Sequence, residues 1–272
     1  QALFVSGEPV TFMGITVTLM SYACSLLPII VAVWVQSYLE RLLTRVVPAA
    51  VRNFTVPLLV VVTMVPLVLL TIGPATITLS NWISSGVNSA FAAAPWLAGA
   101  IMGGLWQVFV LFGLHWGFVP IITNDLSTQG FSYLVPPLLA AVLAQAAAAF
   151  AVFLRTRNAA RRTLAGPAAL SGALAGVTEP AIYGVNLPLK KPFYFGIAGG
   201  AVGGAIAGVS DTVANAFVFP SLIALPAFTS QGSFVLLLVS IVVAMAIAFS
   251  LTWVFVDREH PEDGLAPVVE DE

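Results

Sequence analysis

Apolar residues run along this chain in long, continuous blocks rather than in alternation with polar ones. Crossing a bilayer core takes about 20 mostly apolar residues of helix. Six stretches qualify, at about 11–35, 54–79, 88–112, 132–154, 193–219 and 233–256, with ends marked by charge or by Gly, Pro and Ser. A transmembrane barrel would alternate in-facing and out-facing residues. The pattern therefore predicts an all-α integral membrane protein, a polytopic helical bundle with about six transmembrane helices. Two apolar segments are broken. The first, Gly113 to Gly130, holds His115, Trp116, Pro120, Asn124 and Asp125; the second, 166–192, holds GVTEPAIYGVNLPLKKP. Backbone that leaves helical geometry at membrane depth persists only inside protein or along a wet cavity. Interrupted segments of this kind point to a transporter's binding site.

Composition sharpens this reading. Of 272 residues, 59% are hydrophobic and 8% charged, with mean hydropathy +1.01, whereas soluble domains carry about 25% charged residues. A soluble enzyme, a nucleic-acid binder and a disordered chain are excluded. The single cysteine, Cys24, rules out a disulfide scaffold and reads as an inert side chain within a span. The chain opens at Gln1 with no basic n-region, which reads as a piece of a longer polypeptide without a signal peptide. Charges gather in three places: Glu40, Arg41, Arg45 and Arg52; then Arg155, Arg157, Arg161 and Arg162; then the tail from Asp257. The arginine cluster belongs in the cytoplasm by the positive-inside rule. Two further crossings return the C-terminus to the same side. Three crossings separate Arg52 from Arg155, so the first group lies outside on an interfacial helix, or one span is misplaced. The acidic stretch 257–272, with His260, reads as a solvated cytoplasmic tail or linker behind a membrane domain over 1–256.

Ionisable residues inside apolar segments are costly and need a reason. Glu179 sits between Thr178 and Pro180, and the proline disfavours helix at the residue before it and removes an amide donor. A carboxylate at such a break suits a polar ligand; the competing account pairs it with Lys190 or Lys191. His115, bracketed by Gly113 and Gly117 and followed by Trp116, suits a sugar ring, whose C–H face stacks on an aromatic while its hydroxyls bond; otherwise it is a core histidine bonded to a carbonyl. Asn124 and Asp125 divide evenly between capping and ligand contact. Lys190 and Lys191 read as interfacial anchors, and Asp211 as structural. Gly196, Gly200, Gly204 and Gly208 recur every fourth residue, so they share a helix face that another backbone can approach. No P-loop, metal site or Ser-His-Asp set is present, so neither metal nor cofactor is expected.

LPLKKP after GVTEPAIYGVN, with GGLWQVFVLFGLHWGFVPIITND upstream, closely resembles the sugar-translocating EIIC domain of the bacterial phosphoenolpyruvate-dependent phosphotransferase system. FGLHWGFVPI and AVWVQSYLE are most similar to its β-glucoside-specific branch, and the resemblance runs from about Thr11 to Val256. It implies a multi-pass protein of the bacterial inner membrane with two re-entrant hairpins, a homodimer, and an elevator-like movement of sugar. It also implies that the sugar hydroxyl is presented to a phosphocysteine on a separate, phosphorylated EIIB domain. The N-terminal half of a usual EIIC domain is missing from the resemblance. By the same resemblance, Glu179 and His115 are sugar-site residues. Their chemistry leads us to expect that they orient the sugar, with either one available as base, and that Trp116, Asn124 and Thr178 contribute to sugar binding. Some relatives place an arginine eight residues before that histidine; this chain has Gln107 there, so no arginine contact carries over. The competing functions are an ion- or proton-coupled secondary sugar transporter, with Glu179 as proton carrier, and a membrane-embedded sugar sensor.

Overall fold

The computed structural model describes residues 9–12, 15–18 and 26–256. Cys24, His260 and the tail 257–272 lie outside the described residues. Helix dominates. In chain order the helices are α1 (Leu26–Val46), α2 (Arg52–Leu67), α3 (Gly73–Ala93), α4 (Pro95–Leu111), α5 (Val119–Thr128), α6 (Val135–Arg155), α7 (Ala159–Ala175), the one-turn α8 (Glu179–Ala181), α9 (Lys191–Val209) and α10 (Phe234–Phe255). Two π turns, Val68–Ile72 and Ile182–Asn186, and a 3-10 turn, Leu114–Phe118, interrupt them.

Among the described residues, four helical runs are long and apolar enough to cross a membrane: Arg52–Ala93, Val135–Arg155, Lys191–Val209 and Phe234–Phe255; Pro95–Leu111 is apolar but shorter. These fit an all-α membrane bundle, with boundaries that differ from the six expected stretches. The first stretch, 11–35, contains strand residues: Pro9–Phe12 (β1) pairs antiparallel with Ile15–Thr18 (β2), Val10 facing Val17. Val10, Thr11, Ile15, Thr16, Val17 and Thr18 supply the β-branched residues that favour strands. The polar stretch 80–87, read as a boundary, is helical; Thr76 and Ser80 just ahead of it and at its start satisfy their hydroxyls on carbonyls one turn back, so their polarity does not end the helix. Helix stops instead at Ala94, which Pro95 forces to φ −149° and ψ 71°. The stretch expected over 193–219 ends as helix at Val209, where Ser210 donates to the Ala207 carbonyl and Asp211 turns left-handed at φ 52°.

The chain divides into two compact units, one taking residues up to Gly86 with Val119–Thr128, the other Val87–Phe118 with Gln129 onward. In the first, Ala32, Val47, Val56, Val60, Met64 and Ile72 form the core where α1 meets α2. Glu40, Arg41 and Arg45 sit in the last turns of α1, and Arg52 donates to the Val47 carbonyl behind it.

The second unit is built around α6, whose apolar stretch is 83% buried against 28% for α10. Glycine sets the packing of α9. A Cβ added to Gly204 or Gly208 would overlap the Gly99 or Pro95 carbonyl of α4, and Gly196 leaves room for the Gln145 side chain of α6. The four-residue glycine spacing thus serves backbone contact, as expected. On the other side, Ala165, Ala168 and Ala169 of α7 pack with Ala181 and Val185 against Ala149 and Val152 of α6. Residues 159–190 therefore form a helical hairpin. Its tip, Gly176–Thr178, follows Gly172, which packs on Ala146 midway along α6. Its returning end brings Leu189 beside Val152, Arg155 and Thr156 at the C-terminus of α6. The tip stands about 13 Å above Arg155, at 1.5 Å per helical residue.

Candidate functional site

The hairpin tip owes its shape to two residues. Gly176 closes α7 in the left-handed conformation (φ 75°), where its missing Cβ also lets the Pro220 carbonyl approach. Pro180 then starts the return as the second residue of α8. The Leu222 amide donates to the Ala173 carbonyl, so the 217–228 segment braces the tip from behind.

Thr178 is buried and donates its hydroxyl to Oε1 of Gln107 on α4 at 3.1 Å. One turn further along α4, the Leu111 carbonyl accepts from the Tyr183 hydroxyl at 2.9 Å. The returning arm is thus held to one face of α4. Glu179 follows Thr178 directly and is half-buried. Its carboxylate makes no hydrogen bond or ion pair with any described residue. Lys191 donates instead to the Phe255 carbonyl, and both Lys190 and Lys191 are exposed at the far end of the hairpin, so neither neutralises Glu179.

His115 lies in the 3-10 turn just after α4. Its ring meets Trp106 edge-on at 5.9 Å and tilts against Trp116 at 5.5 Å. Nδ1 of His115 and Nε2 of Gln107 are both buried without a hydrogen-bond partner. Trp106 and Gln107 are consecutive, so the same turn of α4 supports the histidine on one residue and the hairpin tip on the next. Trp116 is largely exposed. No hydrogen bond joins Glu179 to His115 among the described residues.

Asn124 belongs to the first unit. There its side chain donates to Asn81 Oδ1 at 3.1 Å, and its carbonyl accepts from Ser127 and Thr128. Beside it, Asp125 is fully buried and accepts from the Ser84 hydroxyl. Both residues of the evenly divided pair therefore have protein partners. Sequence reasoning passed over Gln107 as a contributor in its own right, and passed over Gln145, because neither carries charge. Each is a lone amide in a continuously apolar helix, and that was the available signal.

A bundle of apolar helices holding a broken hairpin with unpartnered polar atoms at membrane depth has the architecture of a substrate-translocating membrane protein. The comparisons narrow the class. The family model "Phosphotransferase system, EIIC" matches residues 2–200, and the chain belongs to that family. It is 42% identical over 264 residues to a β-glucoside-specific EIIBCA component of Dickeya chrysanthemi, covering 96% of this chain and 41% of that protein. A β-glucoside-specific EIIBCA component of Halalkalibacterium halodurans is 44% identical over 207 residues, with 76% and 32% covered. An arbutin-, cellobiose- and salicin-specific EIIBC component of Escherichia coli is 34% identical over 256 residues, with 94% and 50% covered. The chain thus spans half or less of the length of these relatives. No solved structure matches it.

Proposed function

We propose that this chain is the sugar-binding portion of a phosphotransferase-system permease that takes a β-glucoside-type sugar at the hairpin tip. The observation that carries the reading is a set of three polar groups left open on or beside α4. These are the Glu179 carboxylate, Gln107 Nε2 and His115 Nδ1, two of them buried atoms with no partner. Buried polar atoms are almost always satisfied, so groups left open in a family of sugar permeases suit sugar hydroxyls. The carboxylate accepts from hydroxyls, the amide donates to a hydroxyl or ring oxygen, and Trp116 offers a face for the ring. A site built on such bonds rejects analogues lacking the matching hydroxyl.

Transfer follows from positioning. The hydroxyl oxygen forms a bond to phosphorus as the S–P bond of an EIIB phosphocysteine breaks, and the hydroxyl proton passes to Glu179 or His115. Thr178 acts through the tip, by tying it to Gln107. The two ends of the hairpin, the arginines after α6 and the C-terminus of α10 lie together, so the basic end faces the cytoplasm. The hairpin then enters and leaves on that side, and phospho-EIIB meets the sugar from there. A homodimer in the bacterial inner membrane is the working assembly.

The test is uptake in vesicles carrying the protein. Accumulation of phosphorylated β-glucoside that requires phosphoenolpyruvate and EIIB supports the proposal. Accumulation of free sugar that ignores phosphoenolpyruvate and collapses with an ionophore would replace it with a secondary transporter. Saturable binding without uptake, with every partner supplied, would replace it with a sensor.

A further inference from the structure

An apolar groove of about 810 Å³ runs between α6, α7 and α10, away from the hairpin tip's polar atoms. That volume is the scale of a ligand site rather than of a packing defect. Phe150 and Phe153 of α6, Gly166 and Leu170 of α7, and Met245 and Phe249 of α10 line it. Phe150 and Leu170 are exposed along its open side.

One mouth of the groove is basic. Phe153, which lines it, lies 5.3 Å beneath the Arg162 guanidinium. Phe249, which also lines it, stacks at 5.8 Å on Trp253, and the Arg155 guanidinium lies 5.8 Å from the Trp253 ring. Arg162 is thus held over one ring of the lining, and Arg155 over a ring that stacks on another. Nε of Arg155 is buried with no hydrogen-bond partner. No Asp or Glu occurs in α6, α7 or α10 to balance them.

We infer that this groove binds one acyl chain of an anionic phospholipid, with the lipid phosphate between Arg155 and Arg162. The apolar lining takes the chain, whose methylenes leave water on entering it. The two arginines select the headgroup, since guanidiniums near a membrane surface attract anionic lipid. Free phosphate would satisfy the arginines and leave the groove empty, so the groove decides for lipid.

The test uses the purified, delipidated protein, titrated with phosphatidylglycerol or phosphatidylcholine of identical acyl chains and read by native mass spectrometry. One phosphatidylglycerol should be retained at about tenfold lower concentration than phosphatidylcholine, and inorganic phosphate should not displace it. Arg155→Gln with Arg162→Gln should erase that preference, and the corresponding double lysine variant should keep it. Ala246→Phe, which fills the groove, should weaken both lipids alike while leaving the melting temperature in place. Equal retention of the two lipids by the parent protein would overturn the inference. So would a preference that survives the double glutamine variant, or one that appears only after the acidic 257–272 tail is removed. Loss of a dimer with Ala246→Phe, without loss of lipid, would assign the groove to a second copy of the chain instead.

Discussion

Two polar clusters sit in the same helical unit and are completed in opposite ways. At one, Gln145 of α6 donates to the Phe193 carbonyl at 3.0 Å, and Asn186 donates to both its Oε1, at 2.8 Å, and its backbone carbonyl. Gln145 is fully buried with both amide atoms engaged, and it ties the π turn of the returning arm to the start of α9, with Asn186 Oδ1 the one side-chain atom of this pair left open. At the other, Gln107 engages Thr178 through Oε1 alone and leaves Nε2 open, with Glu179 unpartnered beside it. Two glutamines in apolar helices look alike in sequence. Their partners distinguish a latch from a vacancy for a hydroxylated ligand. An amide used only for stability has no reason to keep an unsatisfied donor, because an orphaned buried group costs about 1–3 kcal/mol.

Substitutions that treat the two clusters alike should separate them. Glu179→Gln removes the one charged acceptor at the open cluster and should lower β-glucoside uptake by about a hundredfold, with the melting temperature unchanged. Uptake at the parent rate would break the comparison. Gln145→Leu should do the reverse. It removes one of the two acceptors of the Asn186 amide and the side-chain donor to the Phe193 carbonyl, and should cost about 1–3 kcal/mol of stability in a chemical melt, with sugar affinity per folded molecule retained. His115→Ala should weaken sugar affinity by about tenfold, or about 1.4 kcal/mol, in a calorimetric titration, again without a stability change. Thr178→Val, which cuts the link to Gln107, should give the smallest effect. We expect about 1 kcal/mol of stability and a few-fold loss of affinity, measured in the same two assays.

Much of this was legible in the residues. Continuous apolar runs with little charge fixed the class, because only helices hide their backbone within one segment. The four-residue spacing of glycines revealed the backbone contact of α9, and Pro180 after Glu179 revealed the break that became the hairpin tip. What escaped was decided by local backbone conformation and by where side-chain hydroxyls find partners. Thr76 and Ser80 hide their hydroxyls on carbonyls one turn back, so α3 runs on through a stretch whose polarity suggests a boundary, and the left-handed Asp211 ends α9 ten residues before the apolar run does. The grouping of site residues was legible in part. Glu179, Thr178 and His115 all sit on or beside α4, while Asn124 bonds Asn81 in the other unit. Order along the chain could not reveal that Gln107 would reach Thr178 across 71 positions.

The account stands on the hairpin tip being where sugar binds, and sulfhydryl labelling reads that directly. With Cys24 replaced by serine, a cysteine is placed at the exposed tip residue Val177, and separately at the exposed base residue Ala159. Saturating β-glucoside should slow labelling at position 177 several-fold and leave position 159 unchanged. Equal labelling at position 177 with and without sugar, in protein that still binds it, would contradict the assignment.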